Sequence, residues 1–79
     1  MIKWETIKRE FNTRYVIRSK KGNYLTENFG WTNKFINAFK FENSFPAFHI
    51  QEIDFKNCKV IEVKLFTLQA IEEIGEAAE

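Results

Sequence analysis

The chain has 79 residues, 44% of them hydrophobic, and a formal net charge of +1. This length allows one domain, which buries only about 60% of its unfolded surface and so needs large side chains in its core. The lone cysteine excludes an internal disulfide and any cysteine-cluster metal site, and no stretch approaches the ~20 apolar residues of a membrane helix. The first residues lack the apolar segment of a secretory signal, so the sequence predicts a soluble, cytoplasmic single domain over residues 1–79.

Nine Phe, two Trp and two Tyr are available for the core, and each buried ring removes roughly 150–250 Å² from water. Rings beyond the needs of the core would form a contact surface. The charge is polarised along the chain. Residues 1–40 carry nine Lys/Arg against three Glu, a surplus of +6; residues 41–79 carry three Lys against eight Asp/Glu, or −5. Such halves orient the protein on a charged partner, associate two copies head to tail, or neutralise each other within the fold.

In residues 1–11, Trp4, Ile7 and Phe11 recur at helical spacing, whereas Ile2, Trp4 and Thr6 alternate as in a strand. A short helix is the reading adopted. Tyr15–Ser19 and Asn23–Thr26 then flank Lys20-Lys21-Gly22 as a β-hairpin, with Gly22 at the positive φ of the turn and the lysines in water. Tyr15 and Ile17 point to one side of the first strand, Val16 and Arg18 to the other. Asn28–Thr32 reads as a turn around Gly30, residues 33–37 as a loop or single helical turn, and Ala38–Phe41 as a third strand with Phe39 and Phe41 inward.

Asn43-Ser44 followed by Phe45-Pro46 is a helix start, because a polar cap precedes a proline whose missing N–H costs nothing in the first turn. This predicts a helix over Phe45–Ile53, then a turn at Asp54–Asn57. Lys59–Leu65 alternates as a strand, with Cys58 at its start as a buried, hydrophobe-like thiol. From Thr67 the period lengthens: Leu68, Ile71 and Ile74 fit an amphipathic helix ending near Gly75, with a frayed tail over 75–79.

His49 is the only histidine, so multi-histidine metal sites are excluded and any Ser-His or Cys-His pair would depend on it alone. Glu52 and Asp54 read as a solvated helix end, and no phosphate-loop, dinucleotide or zinc-protease motif occurs. The sequence therefore predicts no catalytic residue, metal or cofactor. Lys8, Arg9, Arg14, Arg18, Lys20 and Lys21, interleaved with Trp4, Phe11 and Tyr15, fit nucleic-acid binding, although a near-neutral chain with an acidic second half opposes a polyanion.

The run Tyr15-Val-Ile-Arg, Lys21-Gly-Asn-Tyr-Leu-Thr26, Gly30-Trp-Thr32 and Ala38-Phe-Lys-Phe41 resembles small uncharacterised proteins encoded by phages and prophages of Gram-positive bacteria. The resemblance covers roughly residues 14–65 and implies a strand–turn–strand skeleton followed by a helix and a closing strand. It carries no catalytic residues. Phe45-Pro46-Ala47-Phe48 stands where those proteins open their helix with charged residues, so two additional rings face outward there.

The expected fold is α+β: an antiparallel sheet of three or four strands, one packed helix and short terminal helices. The expected function is a non-enzymatic interaction protein, a phage accessory factor that binds and modulates a host or anti-phage defence protein. The alternative is a nucleic-acid-binding module using the basic first quarter. Residues expected to contact the partner are Trp4, Arg14, Arg18, Lys20, Lys21, Trp31, Phe45 and Phe48. Self-association into a homodimer is also expected, through an edge at the hairpin or Lys59–Leu65 and through the Leu68/Ile71/Ile74 stripe.

Overall fold

The computed structural model describes residues 13–65 and 71–78. Its centre is the antiparallel pair of the runs richest in β-branched residues, β1 (Thr13–Ser19) and β4 (Cys58–Leu65), in continuous register from Thr13↔Lys64 to Ser19↔Cys58. Their side chains alternate between two cores. Ile17, Cys58 and Val60 pack with Leu25 and Ala47 on one face, beneath Tyr15, Phe41, Phe48, Ile50 and Ile53. Val16, Ile61 and Val63 pack with Ala38 on the other, beside Tyr24 and Phe35.

The sheet has five strands among the described residues, in the order β3-β2-β1-β4-β5, and every pairing is antiparallel; β2 is Tyr24–Leu25, β3 Trp31–Thr32 and β5 Ile71–Glu76. The hairpin forms where the sequence predicts it. Gly22 has φ +87°, its N–H donates to Ser19 O, and Arg18 pairs with Tyr24. Nothing lies within 4 Å of a Cβ built at Gly22, so its backbone angle rather than space selects glycine.

Several sequence expectations are corrected. Five strands replace three or four because the chain pairs at both flanks of the hairpin. Trp31-Thr32, expected in a turn, returns as β3 across from Tyr24-Leu25. Residues 38–41 form no regular strand: only Phe41 bridges, exchanging both backbone hydrogen bonds with Tyr15, where the short β2 no longer covers β1.

Among the described residues helix is confined to a 3-10 turn at Phe35–Asn37 and α1 (Ser44–Phe48), so the expected helix over 45–53 stops early. Phe48, Ile50 and Ile53 all pack on one core, yet steps of two and five residues cannot share one face at 3.6 residues per turn. The chain leaves the helix to bury them.

Residues 71–76 are a strand, not the expected terminal helix. Along β4 they satisfy edge N–H and C=O groups that a helix there would leave to water. The spacing of Ile71 and Ile74 is absorbed by a register shift opposite Glu62/Val63, with Gly75 at φ +144° supplying the irregular backbone. The tail is held beyond the strand, since Ala77 N–H donates to Val60 O at 2.8 Å and its side chain joins the core. The expected helix over 1–11 and Leu68 lie outside the described residues.

The two charge halves meet in this sheet. Arg18 on β1 grips Glu73 on β5 with two hydrogen bonds, of 2.8 and 3.0 Å, reaching across β4, and Lys59 stands 3.5 Å from Glu76. The Arg18 guanidinium holds the Glu73 carboxyl below its ordinary pKa. A depressed carboxylate stabilises the fold above its unfolded pKa, and that contribution disappears as pH falls through the folded value. Glu73→Gln should therefore cost at most about 1 kcal/mol at neutral pH, as for other part-exposed pairs. The difference from the parent should vanish in acid, which denaturant melts at two pH values would read.

Candidate interaction surface

An apolar cleft of about 290 Å³ opens between the β2–β3 loop, residues 39–41 and the start of α1. Leu25 contributes its floor, Phe29, Phe39, Phe41, Pro46 and Ile50 its walls, and Thr26 and Glu27 its polar rim. Phe39 N–H donates to Leu25 O at 2.9 Å, and its ring meets Phe41 edge to face, with centroids 4.6 Å apart at 87°. Lys40, between them, points away: its ammonium donates to Phe35 O, Ile36 O and Ala38 O and lies 4.8 Å from the centre of the Phe35 ring. Burial lowers its pKa. Lys40 thus closes the 3-10 turn and sets the direction in which Phe39 and Phe41 reach the cleft.

Phe29 is the unusual wall. It has φ +61°, the left-handed region that residues with a Cβ avoid, and the residue is 56% exposed. The adjacent Gly30 sits tightly: a Cβ there would lie 3.2 Å from the Thr26 hydroxyl, which accepts the Gly30 N–H. A strained residue normally owes its place to packing or function, and this exposed ring has little packing to gain. Phe29→Gly should melt no lower than the parent and be stabilised by up to about 1 kcal/mol, strain relief exceeding the added chain entropy. Thermal unfolding checks this.

The expected contact residues divide into groups. Trp31 is 45% exposed and sits directly across from Leu25, on the same face of the ribbon as the cleft floor. Phe45 is 69% exposed, precedes the cleft residue Pro46 and stacks on His49 at 4.2 Å. Phe48 instead packs half-buried on the core and does not present the extra outward ring expected of it. Arg14 donates to Thr13 O, Arg18 is committed to Glu73, and Lys20 and Lys21 are exposed at the hairpin tip. Trp4 lies outside the described residues. Phe29, Phe39, Phe41, Pro46 and Ile50 were not expected to form a site; Phe39 and Phe41 read as core by alternation, and only Asn28-Phe29-Gly30 hinted at an odd turn.

Cys58 is buried, and burial with the nearby Asp54 carboxylate pushes its thiol pKa up, away from a reactive thiolate. Burial and the facing Glu62 raise the Tyr15 phenol. Among the described residues no group of three His, Cys, Asp or Glu could hold a metal ion, and no helix is long and apolar enough to cross a membrane. Comparison with protein-family models, curated proteins and solved structures finds no match.

Proposed function

We propose that this chain is a non-enzymatic interaction protein whose aromatic cleft receives an apolar side chain of a partner protein. The carrying observation is the half-exposed Phe29, held at φ +61° beside a cleft walled by Phe39, Phe41, Pro46 and Ile50. Trp31 and Phe45 extend the aromatic surface, and such rings dominate binding energy at protein interfaces. With the resemblance to phage-encoded proteins, the reading becomes a phage accessory factor in the bacterial cytoplasm that binds and modulates a host or anti-phage defence protein.

Two observations favour this over nucleic-acid binding: Arg18 is already neutralised by Glu73, and β5 adds further carboxylates to the same sheet. Among the described residues β3 and β5 are the outer strands, so edge pairing of two copies would use one of them rather than the hairpin or Lys59–Leu65. Immobilised protein should retain a host protein after nuclease treatment and at high salt. Phe39→Glu should lose it and Lys34→Ala should keep it. Retention that disappears with nuclease, or that survives Phe39→Glu, overturns the reading.

A further inference from the structure

A second cleft, of about 370 Å³, lies at the hairpin tip and shares no lining residue with the aromatic one. Arg18, Lys20, Lys56 and Lys59 line it with Phe55, and among the described residues Glu76 is the single acidic one in the lining. Its walls are fixed by hydrogen bonds. Lys20 N–H donates to Asn57 O at 3.0 Å, joining the hairpin to the 54–57 turn; Asp54 accepts the Lys56 N–H at 3.0 Å and the Asn57 side-chain amide at 2.7 Å.

The four cations are not equivalent. Arg18 and Lys59 face each other across β1 and β4, a like-charge pairing that costs stability, and each has a carboxylate from β5, Glu73 and Glu76 respectively. Lys20 and Lys56 have no anionic partner among the described residues. Lys20 from the hairpin and Lys56 from the 54–57 turn thus both line a cleft large enough for a small molecule. Phe55 is 37% exposed, with Phe48 tilted 6.4 Å from it, so part of its ring remains available to a ligand.

We propose that this cleft binds a nucleoside phosphate, the phosphate between Lys20 and Lys56 and the base against Phe55. Ammonium groups recognise phosphate as compact point charges, and a base stacks on any accessible aromatic face. The cleft is larger than a bare phosphate needs, whereas the carboxylates of Asp54, Glu73 and Glu76 nearby repel a long polyanion. A free mononucleotide fits that balance. The inference is independent of the aromatic cleft and of its partner.

Amide-resolved NMR titration of the full chain tests it with AMP, inorganic phosphate, adenosine and a tetranucleotide as separate probes. AMP should bind saturably at millimolar concentration or below, moving the Lys20, Lys56 and Asn57 amides. Phosphate and adenosine should each bind about tenfold more weakly, since each lacks one half of the contact. Lys56→Gln should weaken AMP about fivefold. Phe55→Ala should weaken it about tenfold, with unchanged amide dispersion elsewhere showing that the fold persists. A tetranucleotide that binds much more tightly than AMP overturns the mononucleotide assignment, because the nearby carboxylates should repel the longer polyanion. No saturable AMP shift, phosphate binding as tight as AMP, or indifference to both Lys20→Gln and Lys56→Gln overturns the proposal.

Discussion

Ile17→Ala should destabilise the chain by about 2–5 kcal/mol. Ile17 is fully buried, centred on β1 and packed with Leu25, Ala47 and Val60. Truncation removes its transfer free energy and leaves a void that the paired strands β1 and β4 cannot close. A domain of this size holds roughly 4–12 kcal/mol in total, so the variant stands near or below the threshold of folding. Each kcal/mol corresponds to about 4–8 °C in melting temperature. Ile36→Ala, half-exposed on the 3-10 turn, should change little. Melting followed by circular dichroism separates the two, and Ile17→Val should fall between them.

Removing residues 71–79 should have a comparable effect by a different route. The deletion strips β5 from β4, exposing the backbone edge along Ile61–Leu65, and removes the Ala77 cover over Val60 together with the acids that balance Arg18 and Lys59. A bare strand edge carrying Ile61, Val63 and Leu65 templates pairing with another chain. The truncated protein should therefore melt lower and form dimers or larger species by light scattering. A monomer with unchanged melting would mean that β5 adds nothing to the sheet.

The parts of the fold legible in the sequence were those where local chemistry and tertiary packing agree. Lys20-Lys21-Gly22 selects its turn by backbone angle alone, and Val60–Leu65 alternates because both faces of its strand are used. Where long-range pairing decides, local pattern misleads. Ile71 and Ile74 carry a helical spacing, but the open edge of β4 makes them a strand. Pro46 starts a helix as its fixed φ dictates, yet Ile50 and Ile53 pull the chain out of it.

The surfaces were legible only in part, for the same reason. Trp31 and Phe45 were identified as rings to spare, but the cleft beside them depends on Phe39 and Phe41 reaching Leu25 and Tyr15 across some 14 to 26 positions of sequence. Lys8, Arg9, Arg14, Arg18, Lys20 and Lys21 read as one basic set fit for nucleic acid. Glu73, more than fifty residues away, removes Arg18 from it, while Lys56 and Lys59 arrive beside Lys20. Pairings across such distances leave no trace in composition or period.

The central claim is that the aromatic cleft exists for binding rather than for stability, and Phe29→Gly addresses it most directly because it decouples the two. Phe29 stands at positive φ with its ring half in water, so glycine relieves the backbone while deleting one wall. The measurement is the affinity of this variant for the captured partner, beside its melting temperature. The account predicts melting at or above that of the parent and an affinity loss of about thirtyfold or more, the scale of an interface hot spot. Unchanged affinity in a folded Phe29→Gly protein would contradict it.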